Sequence, residues 1–511
     1  MVGQGGDTRS AARRPMQSPY MTQSLVVGGG FGGIASALRL RALGHKVTLL
    51  DRLENLGGRA QVFERDGFKH DAGPTVITAP FMFEELFALF DKKLEDYATF
   101  VPLETWYEFY FNDGKRFVYK GDIEHTYQEI AKFEQADVEG YKNLLKLSEK
   151  IFKVGFEQLS AQPFTKFSTM LKQGPALLRL QSYRTVYGLI SKFIRNDYLR
   201  KVFSVHPLLV GGNPYTTTSI YTLIHFLERK WGIHFCMGGT GALVAALEKL
   251  MVEEGIEIRK QADVDEILVE KNRTNGVRLS CGETIMADNV VFNGDAPHAY
   301  RALLPQRLTR QKIRRPESLT QYSMGLYVLY FGTTKTYSDI AHHTIWLGPR
   351  HKELLEDIFD NHVITEDFSL YLHRPTATDP SFAPNGCESF YVLCPVSNLK
   401  SHTNWNEEGP RLRDRIVKAL EDTILPDLSN HICADFWMTP EDFKTRYRSE
   451  HGAGFSIAPT LTQSAYFRYH NRDPQISNLY FTGAGTHPGA GLPGVLSSAK
   501  VLEQLMNGVN T

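Results

Sequence analysis

Residues Gly28 to Gly33 read Gly-Gly-Gly-Phe-Gly-Gly, and an acid, Asp51, closes the apolar run Val47-Thr48-Leu49-Leu50 that follows. Groups in that order can hold a dinucleotide. Read as G-x-G-x-x-G, the segment offers a tight turn at Gly28 and close backbone approach to a pyrophosphate at Gly30. Gly33 then allows tight helix–strand packing, with Phe31 and Gly32 between the last two glycines. The helix start beyond the turn aims free N–H donors and a positive dipole end at phosphate. Asp51, with Arg52 beside it, stands where a ribose needs a carboxylate.

These groups must be positioned by a βαβ unit: a strand at Leu25-Val26-Val27, a helix from Ile34 to Leu43 and a second strand at Val47 to Leu50. More of the same domain is legible downstream. Gly238 to Leu250 reads as a helix leading to a strand near Glu257-Ile258, and Val264 to Asn293 as a hairpin-like stretch. Val290 to Asn293 reads as a strand returning to the nucleotide domain, just before Gly294-Asp295. Asn478 to Phe481 reads as a buried strand followed by a glycine-rich turn, Gly483 to Gly494, and a helix beginning near Val495. Aromatic strands at Trp106 to Phe111, Tyr327 to Phe331, Phe368 to Leu372 and Phe390 to Leu393 fit a second sheet, the first of them closing on an Asn112-Asp113-Gly114 turn.

Leu-Gly-Gly-Arg-Ala at 56–60, Asp-Ala-Gly-Pro at 71–74 and NLYFTGAGTHPGAGLPGVLSS at 478–498 follow in order. With the first motif they resemble the FAD-containing superfamily of amine oxidases, protoporphyrinogen oxidase and carotenoid desaturases. The last string resembles the C-terminal signature of bacterial and fungal phytoene desaturases. Further family-like strings, among them 208–225, 366–376 and 463–473, extend the likeness from about Ser24 to the C-terminus. The resemblance implies FAD as cofactor. Gly57, Gly58 and Arg59 would extend the pyrophosphate cradle, and Val264 would face the adenine. Gly73, Pro74 and Thr75 would pass the isoalloxazine ring, with Asp295, Gly483, Gly485, Thr486, Gly494 and Val495 completing the contacts.

The implied fold is α/β: a discontinuous, Rossmann-like, glutathione-reductase-like FAD-binding domain (24–80, 236–296 and 465–511), and a mixed-sheet substrate domain (81–130 and 297–464). A helical, membrane-facing subdomain (131–235) completes it, and residues 1–23 are expected to be a disordered extension. The implied reaction is stepwise dehydrogenation of phytoene towards neurosporene or lycopene: a hydride leaves one carbon for the flavin, a proton leaves its neighbour, and quinone or oxygen takes the electrons. A sister desaturase or isomerase acting on another carotenoid is the alternative, and a non-catalytic prenyl-lipid binder on the same scaffold is the rival from another class.

At 511 residues the chain exceeds one ordinary core. Its 57 basic and 57 acidic residues balance, which gives no reason to expect nucleic acid. Cys236, Cys281, Cys387, Cys394 and Cys433 show no C-x-x-C spacing and read as reduced cytosolic thiols. No apolar stretch reaches the about 18–20 residues of a spanning helix. Yet Phe164 to Phe203 combines Lys166, Lys172, Arg179, Arg184, Lys192, Arg195, Arg200 and Lys201, against Asp197 alone, with interleaved apolar residues. Such a helical pair suits an anionic membrane surface, and Arg307, Arg310, Lys312, Arg314 and Arg315, within 303–315, form a second basic patch. The expected location is cytoplasmic, peripheral to the cytoplasmic membrane face.

His487 is a candidate proton acceptor because histidine titrates near neutrality and the signature lies by the flavin, though a structural hydrogen bond is an equal reading. Asp295, Thr75 and Thr486 are weaker candidates. His342-His343 suggests a metal, but neighbours on a strand point to opposite faces and no carboxylate or cysteine completes a set, so no metal is expected.

Overall fold

The computed structural model describes residues 21–305, 308 and 317–508. The expected extension, up to residue 20, and the basic side chains of the 303–315 patch lie outside them.

The apolar run before the glycine turn becomes the strand Gln23–Val27, the centre of a five-stranded parallel sheet. Lys46–Leu50 and Glu257–Arg259 lie to one side, Asn289–Phe292 and Leu479–Phe481 to the other. A parallel sheet is covered on both faces, so its strands carry continuous apolar runs. Here Ser24 to Val27 and Asn289 to Phe292 are buried at every position. The helix Phe31–Ala42 is buried from Phe31 through Leu40 and packs against the C-terminal helix Leu492–Met506.

Both helices begin earlier than their sequences suggest. Phe31, Gly32 and Gly33 form the first turn of one, capped by Gly30. The other starts at Leu492, with Pro493 in its first turn, where a fixed φ and a missing N–H cost nothing.

The hairpin-like stretch is a three-stranded antiparallel sheet, Val264–Glu270, Arg273–Leu279 and Thr284–Met286. Its first turn is the two-residue loop Lys271-Asn272, with φ of 47° and 61° at its two centres, the left-handed pair that a tight hairpin needs.

The aromatic strands assemble into one seven-stranded sheet, in the order Ile432–Met438, Gly325–Thr333, Glu388–Val396, Leu370–His373, His343–Leu347, Thr105–Phe111, Arg116–Lys120. Neighbours are antiparallel except His343–Leu347 and Thr105–Phe111. Alternation along Gly325–Thr333 divides the sheet faces. Tyr327, Leu329 and Phe331 pack with Trp405, Leu412 and Ile416 of the helix Trp405–Glu421. Leu326, Val328 and Tyr330 point the other way, and Leu326 and Val328 line the cavity described below.

One reading of the sequence fails. His342 precedes the strand His343–Leu347 rather than lying in it, so strand alternation does not apply to the pair. Their rings converge, with centroids 4.6 Å apart, and His373 of the neighbouring strand joins them. A carboxylate is also at hand, since Asp71 Oδ2 lies 3.3 Å from His373 Nε2.

Candidate active site

The glycine turn is tied into the sheet by short backbone bonds. Gly28, at φ 103°, donates its N–H to the Leu50 carbonyl at 2.8 Å. Gly29 donates to Asp51 Oδ2 at 2.6 Å, and Leu53 donates to Oδ1 of the same carboxylate at 2.7 Å. Burial raises the pKa of Asp51, and those two amides oppose the rise. Gly57 donates to the Gly29 carbonyl at 2.8 Å, so a second turn, with Gly57 at φ 105° and Gly58 at 55°, lies along the first. Asn293 closes the other side by donating from Nδ2 to the Gly28 carbonyl at 3.2 Å.

The glycines divide by what a side chain would strike. A Cβ at Gly33 would lie 1.9 Å from the Gly28 carbonyl oxygen, so this position serves packing. A Cβ at Gly30 would meet only Asn293 Nδ2 at 3.3 Å and the Gly57 carbonyl at 3.9 Å. It would project into a cavity that Gly28, Gly30, Phe31, Gly32, Asp51 and Arg52 help to line.

Arg59 is half-buried beside this cradle. Its Nη2 donates to Ser449 Oγ at 2.5 Å, its Nε has no hydrogen-bond partner, and burial lowers its pKa against the pull of Asp295. Asp295 is itself engaged, accepting from the Glu450 N–H at 2.7 Å and from Ser456 Oγ at 2.5 Å. A half-buried guanidinium with an unused donor, facing a glycine-walled recess, is what a pyrophosphate complements. The residues present therefore fit a dinucleotide cofactor. Val264 lines the same cavity at its nucleotide end.

The cavity continues without a break to the seven-stranded sheet. Gly73, Pro74 and Thr75 line this part, held by tyrosines from the sheet. Thr75 Oγ1 lies 2.9 Å from the Tyr371 hydroxyl and 3.0 Å from that of Tyr391, while Tyr391 donates to the Gly73 carbonyl and Tyr330 to that of Ala72. Opposite lie Gly483, Gly485 and Val495. Their turn is pinned by Arg468, only 1% exposed, which donates to the carbonyls of Ala484 and Thr486, and by Asn471, which donates to the His487 carbonyl.

Gly33, Gly494, Thr486 and His487 are not among the residues that line the cavity. His487 donates from Nε2 to the Leu159 carbonyl at 3.0 Å and meets the Phe164 ring edge-on at 4.8 Å; burial lowers its pKa to about 4. It fastens the turn to the segment around Leu159. Thr486 Oγ1 donates to the Gly483 carbonyl.

Several residues that shape the site escaped the sequence reading. Tyr371 and Arg468 sit inside family-like strings, and Asn293 adjoins Gly294-Asp295, so those strings held the signal. Glu228 had none. It lies in the helix Leu223–Trp231, fully buried yet lining the cavity. Its carboxylate accepts from the Tyr107 hydroxyl at 3.0 Å and pairs with His206 Nε2 at 3.0 Å. A buried acid needs such partners.

The family model for flavin containing amine oxidoreductases matches residues 31–501. A lycopene-forming phytoene desaturase of Pseudescherichia vulneris is 47% identical over 95% of this chain and 99% of its own. The chain belongs to the flavin-containing amine oxidoreductases, in their phytoene desaturase branch. Its cofactor is accordingly FAD, which the cradle fits. A neurosporene-forming phytoene desaturase of Rhodobacter capsulatus is 39% identical over 95% of this chain and 94% of its own. Among solved structures, an oxidoreductase of Methanosarcina mazei superposes with a TM-score of 0.63, covering 94% of this chain and all of that one at 17% identity. The flavin amine oxidoreductase fold is thus shared well beyond recognisable sequence.

Proposed function

We propose that this chain is an FAD-dependent phytoene desaturase, an oxidoreductase acting on CH–CH groups that dehydrogenates phytoene stepwise to neurosporene or lycopene. The observation that carries this reading is the continuity of the cavity. A pyrophosphate cradle at one end opens into an apolar chamber floored by Leu326, Val328 and Leu393 and walled by Leu208, Ile224 and Phe455. A hydrocarbon offers no heteroatom to hydrogen-bond, so its register must come from shape and apolar contact.

Bound at the cradle, FAD supplies a two-electron acceptor able to take hydride from a saturated carbon. The chain's own part is to hold, to exclude water and to take the proton. Gly28, Gly30, Gly57, Gly58 and Arg59 hold the pyrophosphate, Asp51 the ribose, and Val264 the adenine end. Thr75, fixed by Tyr371 and Tyr391, keeps the 72–75 segment against the chamber. Glu228 lines this cavity from the same helix as Ile224. We assign it the proton released from the carbon next to the oxidised one, with His206 behind it holding the second carboxylate oxygen in place. Quinone or oxygen would be the final acceptor of the electrons.

Purified protein given FAD and phytoene in liposomes should convert phytoene to more conjugated, coloured products, resolved by chromatography. Unchanged phytoene alongside conversion of a shorter or hydroxylated carotenoid would move the substrate to a sister compound.

The same reading places the enzyme on an anionic membrane surface, where phytoene resides. Among the described residues no helix is long and apolar enough to cross a membrane. The helix Phe167–Arg179 instead leaves Phe167, Leu171 and Leu178 exposed at 45, 62 and 64%, and Tyr183 follows at 57%. Positions 167, 171, 175 and 178 share one helical face. Lys172, Arg179, Arg184 and Lys192 are all exposed around it, the arrangement of a helix lying in a lipid interface. Replacing these four bases together by Glu should lower binding to anionic liposomes by well over tenfold at moderate salt, since each contributes about 1 kcal/mol near such a surface. The deficit should shrink as salt rises, with flavin content unchanged. Equal flotation of variant and parent with anionic liposomes would remove this helix from the membrane contact.

A further inference from the structure

Behind the tyrosine wall of the chamber lie three histidines, none of them lining the cavity. His343 and His373 are cross-strand partners in the seven-stranded sheet, and His342 adjoins from the preceding loop. They are 5% (His342), 0% (His343) and 0% (His373) exposed, and one ring nitrogen from each lies within 4.8 Å of the others.

The three rings share one pattern of hydrogen bonding. Each has one nitrogen engaged outward: His342 Nδ1 with Thr378 Oγ1 at 2.7 Å, His343 Nδ1 with the Tyr371 hydroxyl at 2.7 Å, and His373 Nε2 with Asp71 Oδ2 at 3.3 Å. Each leaves the other nitrogen, His342 Nε2, His343 Nε2 and His373 Nδ1, buried with no hydrogen-bond partner. One orphaned ring nitrogen in a core is tolerable; three in one cluster call for a common occupant. Where the engaged nitrogen carries the proton, the other presents a lone pair, as second-shell partners arrange for metal-bound histidine.

We propose that His342, His343 and His373 form a transition-metal site, suited to Zn²⁺ or a similar imidazole-binding ion. Three neutral nitrogens and a fourth position for water match the ligand preference of such ions. Asp71, one ring away, offsets part of the added charge. Metal–nitrogen bonds of about 2.0–2.1 Å in tetrahedral geometry hold ligands roughly 3.4 Å apart. Entry of the ion therefore draws each ring inward by less than about 1 Å.

The ion's role is to clamp. Through Asp71 and Tyr371 it ties the 71–75 segment to the sheet: Asp71 also accepts from the N–H and hydroxyl of Thr240, and Tyr371 also holds Thr75. It belongs to no step of the dehydrogenation, and the site stands whether or not phytoene is the substrate.

The test is elemental analysis of the full-length, FAD-loaded protein purified without a histidine tag, with Zn²⁺ titration of chelator-treated protein followed by Tm. The site predicts either about one equivalent of metal as purified or a Tm rise of a few degrees saturating at one Zn²⁺ per chain. It also predicts loss of that metal or that rise in His342→Gln, whose FAD content, held at the parent level, reports that it folds. Should the variant not fold, the stoichiometry of the parent titration decides alone. Absence of both metal and Tm response in the parent, or equal metal in a folded variant, overturns the proposal and leaves three neutral rings in the core.

Discussion

Gly30→Val yields a folded protein that no longer retains FAD. The substitution is nearly free of protein contacts, because a Cβ at this position meets nothing closer than the Asn293 amide at 3.3 Å and Gly30 has no left-handed φ to strain. The branched side chain instead occupies the recess between the two glycine turns, where the pyrophosphate must approach the backbone. FAD affinity should fall by more than about a hundredfold, roughly 2.8 kcal/mol, with Tm of the cofactor-free form close to that of the parent. Gly33→Ala makes the contrast. Its Cβ would strike the Gly28 carbonyl at 1.9 Å, so the fold suffers before cofactor binding is at issue. Normal flavin absorbance in Gly30→Val would place the cofactor elsewhere.

Glu228→Gln should retain FAD and lose turnover. The amide has nearly the shape of the carboxylate and can keep both neighbours, accepting from the Tyr107 hydroxyl and meeting His206 with its other end. What it cannot do is take a proton. General-base contributions run to about 10²–10⁴-fold, so phytoene conversion should drop by at least about a hundredfold. FAD content and liposome binding should stay at parent values. His487→Gln serves as comparison, since that ring donates to a backbone carbonyl outside the cavity lining; it should affect stability more than turnover. A Glu228→Gln enzyme within about twofold of the parent would hand the proton to another acceptor at the chamber wall.

The nucleotide half was legible because its chemistry is made by the backbone. A turn at φ 103°, a glycine that cannot bear a Cβ and a strand buried at every position each leave a local mark, and Gly28, Gly33 and Leu25-Val26-Val27 carry those marks in sequence. Boundaries drifted where glycine and proline were read as breaks. Gly32, Gly33 and Pro493 instead lie in the first turns of helices. The chamber was less legible because it is made by side chains brought together over long separations. Glu228 meets Tyr107 across 121 residues and Thr75 meets Tyr371 across 296, and neither pairing follows a period. His342 and His343 misled for a related reason. Strand alternation holds only inside a strand, and the strand begins between them.

That the cofactor cradle and the hydrocarbon chamber are one working cavity is tested by an anaerobic single-turnover experiment. FAD-loaded enzyme is mixed with phytoene in liposomes without oxygen or quinone, and flavin absorbance is followed together with new polyene absorbance. The expected result is bleaching of the bound flavin in step with product, one flavin reduced for each double bond formed, and a halt when the flavin is spent. Phytoene converted while the flavin stays oxidised, or a flavin that keeps its colour with phytoene left untouched, would contradict it.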